Sequence, residues 1–146
     1  SRLHVHTSGG DAFKIQGAGG PTILQSSFVE KFGLVNGVDH SDAVQSNDST
    51  LTTSNVTIRW NNFYMPNGIG YYPNANFMLQ QSLSNWVIEE NWLNGGTYTV
   101  YCYDYTTQVT VRNNFFGRDA LFGLNAPQRP CKEWAGNVWE DTGEPL

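Results

Sequence analysis

"TSNVTIRWNNF" occupies residues 53–63 and "LSNWVIEENWL" residues 83–93. Both alternate apolar and polar side chains, reach an asparagine, and continue with an aromatic residue or leucine. Aligned on that asparagine, the pattern returns twice more. Asn61 is followed by Asn62-Phe63, Asn91 by Trp92-Leu93, Asn114 by Phe115-Phe116 and Asn137 by Val138-Trp139. The asparagines are 30, 23 and 23 residues apart. Before them, Val56-Thr57-Ile58, Trp86-Val87-Ile88 and Val109-Thr110-Val111 alternate as half-buried strands do. Glu133-Trp134-Ala135 holds that place in the fourth copy. Upstream, residues 23–29 repeat the shape with Ser27 in the asparagine place, and "SRLHV" at 1–5 reads as an earlier copy.

A second column lies between members of the first. Asp11–Gln16 resembles Asp42–Gln45, followed by Asn76–Leu79, Tyr98–Tyr101 and Ala120–Phe122. Each unit therefore holds at least two short strands, and periods of this size mark stacked repeats. A sustained helical periodicity is absent, and Gly-Gly pairs and prolines punctuate the chain. A β-sandwich is the competing architecture. It gives no reason to place the same amide at the same turn of every unit. Stacked coils do, because amides on successive rungs bond one another and the turn backbone.

"NVTIRWNNF", "NWVIEENWLNGG", "VTVRNNFFGRD" and "GNVWEDTGEPL" together resemble right-handed parallel β-helix proteins of the pectate-lyase-like superfamily. The resemblance covers nearly the whole chain. It implies an all-β, single-stranded right-handed parallel β-helix (a solenoid) of about six coils, as one domain over residues 1–146. It also implies two kinds of relative: structural proteins of bacteriophages, and secreted carbohydrate-active proteins. The inward column expected from the alignment comprises Val56, Ile58, Phe63, Val87, Ile88, Leu93, Val109, Val111 and Phe116.

The net charge of −5 opposes binding to a phosphate backbone, so nucleic acid is not an expected partner. No apolar run approaches the ~20 residues of a membrane-spanning helix, and no membrane partner is expected. Cys102 and Cys131 form no Cys-x-x-Cys motif. In the aligned register Cys102 follows the second strand of one coil and Cys131 opens a first strand two coils later. That exceeds the ~5.5–6 Å usual between disulfide Cα atoms, so the two are expected to be unpaired. His4, His6 and His40 are scattered; neither a metal site nor a cofactor is expected.

Three sets of side chains could carry function. Asp39, His40 and Asp42 in "VDHSDAVQ" offer two carboxylates beside an imidazole, the groups general acid–base chemistry uses. The structural alternative is a polar turn, with Asp42 capping a strand entrance by Asx bonding. Arg59, Glu89 and Arg112 align at one outward position and are expected to form a charge ladder worth ~0.2–1 kcal/mol per pair. In "TYTVYCYDY", Tyr101, Tyr103 and Tyr105 alternate away from Tyr98, Val100 and Cys102. With Tyr71 and Tyr72 they are the expected binding residues, since tyrosine rings stack on sugar CH faces and pack in protein interfaces.

The function expected is that of a non-enzymatic structural or binding protein, located in a virion or outside the cell. It would be a capsid or tail component or a surface glycan-binding module, with other protein subunits or surface polysaccharide as partners. Homo-oligomers or a larger assembly are expected. The alternative is a polysaccharide lyase or glycoside hydrolase using Asp39, His40 and Asp42 with the arginines Arg59 and Arg112.

Overall fold

A computed structural model of the chain describes residues 2–17, 20–47, 50–68, 70–80, 82–102, 108–127 and 131–146. The described residues form strands without helices, arranged in three parallel sheets. The first sheet has β1 (His4–Ser8), β4 (Phe28–Phe32), β7 (Asn62–Met65), β10 (Trp92–Gly95), β13 (Phe115–Phe116) and β16 (Val138–Trp139), in that order. The second runs β2 (Phe13–Lys14), β5 (Asp42–Ser46), β8 (Ala75–Leu79), β11 (Tyr98–Cys102) and β14 (Gly123–Asn125). The third runs β3 (Thr22–Gln25), β6 (Thr53–Arg59), β9 (Leu83–Glu89), β12 (Val109–Arg112) and β15 (Glu133–Ala135). Every third strand thus enters the same sheet beside its predecessor, an arrangement consistent with a parallel β-helix.

The recurring asparagine is the corner between the third sheet and the first. The backbone N–H groups of Asn61, Asn91 and Asn114 each donate to the Oδ1 of the asparagine on the following rung, at 3.0 Å. Each Nδ2 also donates to that oxygen and to carbonyls of its own and the preceding rung. Ser27 does hold the same place, its N–H donating to Asn61 Oδ1 at 3.0 Å. The residue before each ladder position (Ser26, Trp60, Glu90, Asn113, Gly136) is left-handed, with φ between 54° and 61°. That reversal sets the corner and splits each repeat into three strands where the alignment marked at least two.

Inside, Val29, Phe63, Leu93 and Phe116 stack from the first sheet, Val44, Phe77 and Val100 from the second. Val56 and Ile58, Trp86 and Ile88, and Val109 and Val111 stack from the third. Each contributes ~1.5–3 kcal/mol by burial. Val87 departs from the expected inward column. Strand alternation turns Trp86 and Ile88 inward, so Val87 lies outward between Thr57 and Thr110.

The cysteine expectation is overturned. Cys102 and Cys131 form a disulfide with Cα atoms 5.1 Å apart. The expectation counted Cys131 with the strand it precedes, whereas it ends the coil of β14. In that coil residues 120–122 cross a corner, with Leu121 N–H donating to Gly96 O and Phe122 N–H to Thr97 O. The strand that follows is Gly123–Asn125, with Val100 opposite Asn125. Cys102 ends β11, and Cys131 follows β14 on the neighbouring strand's rung. The cysteines are therefore one rung apart, close to the ~4.8 Å strand spacing.

Candidate binding cleft

Long connections between the first and second sheets bring the candidate residues together. Gly33, with φ 72°, leaves β4 where an added Cβ would stand 2.3 Å from Tyr72 O. Only glycine admits that approach, and it lets Tyr72 N–H donate to Gly33 O at 2.6 Å. The loop after β4 is thereby held against the loop after β7. Between them lies a cleft of about 410 Å³, lined by Asn36, Asp39, His40, Asn67, Tyr72 and Asn74 among others. Tyr64, Pro66 and Tyr71 line an adjoining depression that shares Asn67 and reaches Asp119. Tyr64, 46% exposed, is the most open of these rings.

Asp39 and His40 line the cleft, but Asp42 does not join them. Asp39 Oδ2 accepts the N–H groups of Leu34 at 2.7 Å and Val35 at 2.9 Å, closing its own loop. Asp42 is 1% exposed at the start of β5. Its Oδ1 accepts from Asn74 Nδ2 at 3.0 Å and its Oδ2 from Gln45 Nε2 at 3.4 Å. Its own N–H donates to Asp11 Oδ1 at 3.0 Å. Asp39 therefore serves the backbone of its own loop, and Asp42 side chains of its own and the next rung.

Burial first, and the charge of Asp11 second, push the Asp42 carboxyl up to about 8. The unfolded carboxyl titrates near 3.8. Between those values the folded chain keeps a proton that the unfolded chain has lost. Stability is thus fully present below about pH 4 and falls as pH rises through 8, by a few kcal/mol in all. Gln45 Oε1 is buried without a hydrogen-bond partner. With the Gln45 amide turned about χ3, a protonated Asp42 could donate to it, and so could an asparagine. Asp42→Asn is therefore expected to raise the melting temperature at pH 8 and leave it nearly unchanged at pH 4. Thermal melts across that range check the sign; an equal loss at both ends would contradict it.

Tyr71 and Tyr72 are half-buried beside the cleft. Tyr101 is half-buried too, its hydroxyl 3.0 Å from Thr97 Oγ1 and its ring edge-on to Tyr98 at 5.2 Å. Thr97 lines the cleft, so Tyr101 braces its wall. Tyr103 and Tyr105 lie outside the described residues.

Arg59, Glu89 and Arg112 do occupy one outward column. Arg112 pairs with Glu89 Oε2 at 2.7 Å. Arg59 turns away, donating to Gln25 Oε1 at 3.2 Å and covering the Trp60 ring at 4.1 Å. His4 has a carboxylate close by, Glu30 Oε1 at 2.9 Å, which strand pairing supplies from 26 residues away. Among the described residues no group of three or more His, Cys, Asp or Glu side chains could hold a metal ion.

Sequence reading missed Tyr64, the amides Asn36, Asn67 and Asn74, and a second aromatic surface on the first sheet. Its signal was present: the residue directly after each ladder position is Phe28, Asn62, Trp92, Phe115 or Val138. No family model matches the chain, and no curated protein or solved structure matches it.

Proposed function

We propose that the chain is a right-handed parallel β-helix of about six coils that works without catalysis. In this reading it is a surface module holding polysaccharide along the flank between its first and second sheets. Such a module suits a virion capsid or tail, or a secreted carbohydrate-binding protein, packed with other subunits. The observation that carries the reading is the composition of the cleft. Asn36 and the Asn67 side-chain carbonyl offer hydrogen-bonding groups beside Tyr72, with Asn67 Nδ2 donating to Gly96 O at 2.8 Å and Asn74 held by Asp42 and Thr97, while Asp39 is spent on the amides of Leu34 and Val35. Amides fix hydroxyls and rings stack on CH faces, which is what holding a sugar requires. The disulfide supports an oxidising, extracellular setting. Tyr71 and Tyr101 extend the proposed contact surface.

The test is electrophoresis through gels carrying glucans, mannans, galactans or acidic polysaccharides. The wild-type chain is expected to be retarded by at least one. Tyr72→Ala and Asn67→Ala should lose most of that retardation while melting within a few degrees of wild type. Retardation unchanged in both variants would refute the cleft assignment. The lyase or hydrolase alternative rests on Asp39 and His40 facing the same cleft. It would be supported if Asp39→Asn and His40→Ala abolished a cleavage that the wild type performs.

A further inference from the structure

The outer face of the first sheet carries a column of rings with one interruption. Strand register places His4, Phe28, Asn62, Trp92, Phe115 and Val138 in line on successive rungs. His4 stacks on Phe28 with centroids 5.0 Å apart, and Trp92 on Phe115 at 4.9 Å. Both values match one rung, about 4.8 Å. Between Phe28 and Trp92 stands the much shorter Asn62. Two rungs, about 9.6 Å, therefore separate rings that would otherwise stack continuously. The outer part of this interval has the thickness of one six-membered ring.

The surroundings are those of a site. A depression of about 650 Å³ includes Phe28, Asn62, Trp92 and Trp60. Trp92 is 42% and Trp60 48% exposed. Trp60 is fixed as a side wall, because its Nε1 donates to Glu90 and Arg59 covers its ring. Asn62 forms the floor. Its backbone N–H donates to Ser27 O, while no side chain or backbone group among the described residues bonds its amide. It therefore presents a free donor and a free acceptor between two ring faces.

We infer that this notch is a second ligand site, taking one neutral pyranose ring edge-on between Phe28 and Trp92 with a hydroxyl on the Asn62 amide. Charge selects the occupant. Arg2 and Glu140 are the oppositely charged residues of the lining, and His4 is already engaged by Glu30. The balanced lining matches an uncharged polyhydroxyl ligand and offers no net attraction to an acidic one. A partner's phenylalanine ring would match the walls but leave the Asn62 amide unpaired, and a tyrosine would offer that amide one hydroxyl where a pyranose offers several, which disfavours both. The inference rests on the glycan-binding reading and adds a site on a different face, with its own ligand class.

The probes are methyl pyranosides of glucose, galactose and mannose, with p-cresol standing in for a protein tyrosine. Side-chain N–H signals of Asn62, Trp60 and Trp92 report the notch, and that of Asn67 the cleft. At least one methyl pyranoside is expected to shift the Asn62 and Trp92 signals saturably. Asn62→Phe completes the ring column and should abolish the Trp92 shift; if that variant fails to fold, Asn62→Leu serves. Trp92→Ala should weaken the Asn62 shift roughly tenfold. A Trp92 shift that persists undiminished in the filled variant overturns the notch. So does p-cresol acting where no pyranoside does. Pyranoside shifts at Asn67 alone overturn the notch and spare the glycan reading. Shifts at neither place overturn both.

Discussion

Asn91→Ala is expected to destabilise the fold by about 3–5 kcal/mol. The Asn91 Oδ1 accepts the backbone N–H and the Nδ2 of Asn61, and its Nδ2 donates to Ile58 O, Glu89 O and Asn114 Oδ1. Truncation strands the buried N–H of Asn61 and removes donors from two carbonyls. Each buried group left without a partner costs about 1–3 kcal/mol. The loss is large against the 5–15 kcal/mol that holds a typical domain together. Urea titration reads it as a lower midpoint at unchanged slope. A loss under about 1 kcal/mol, the size of an ordinary surface change, would show that the ladder adds little beyond the apolar stacks.

Reducing the disulfide is the second large effect. Cys102 and Cys131 are separated by 29 residues, and a closed loop of that size limits the unfolded chain by about 3–4 kcal/mol. At about 2–4 °C per kcal/mol for a chain of this length, melting should fall by roughly 10 °C on adding reductant. The double variant Cys102→Ala with Cys131→Ala should melt at that lower temperature with or without reductant. Thiol titration of the denatured, unreduced chain should find no free thiol. Two free thiols would restore the register expected from the sequence and overturn the one described here.

Where chemistry repeats, the sequence was readable. The ladder could be read because one side chain, asparagine, has both the donor and the acceptor that each corner needs. Its substitution by Ser27 was readable for the same reason, since a hydroxyl leaves the strand pattern on either side intact. The left-handed residue before each corner was hidden. Trp60, Glu90 and Asn113 adopt a conformation that glycine would have announced, and only Gly136 does so. Without that reversal, the strands on either side of Asn61 look like one. Residues 120–122 misled for a related reason: Leu121 and Phe122 read as a strand but are 60% and 67% exposed at a corner. Cys131 misled separately: it reads with the strand it precedes, yet it ends the coil of β14, which neighbours β11.

The candidate site was less legible. Asp39 and Asp42 are adjacent in a motif, yet one closes a loop and the other is buried against Asn74 from the next rung. Burial and the charge of Asp11 on the preceding rung decide its protonation, and local spacing does not reveal them. Tyr72 reached the cleft because Gly33 allows two backbones to meet, a contact set by register. The ring column of Phe28, Trp92 and Phe115 appears only after alignment on the asparagines, one place beyond the residue that draws the eye.

The central functional claim is that the chain retains polysaccharide without cutting it. The most direct measurement is the length distribution of a retained polymer after prolonged incubation with a stoichiometric amount of the wild-type chain, read by size-exclusion chromatography. The proposed function requires an unchanged distribution alongside retention, with Asp39→Asn behaving like the wild type in both respects. Progressive shortening that stops in Asp39→Asn, while that variant still melts like the wild type, would contradict it and make the cleft a catalytic one.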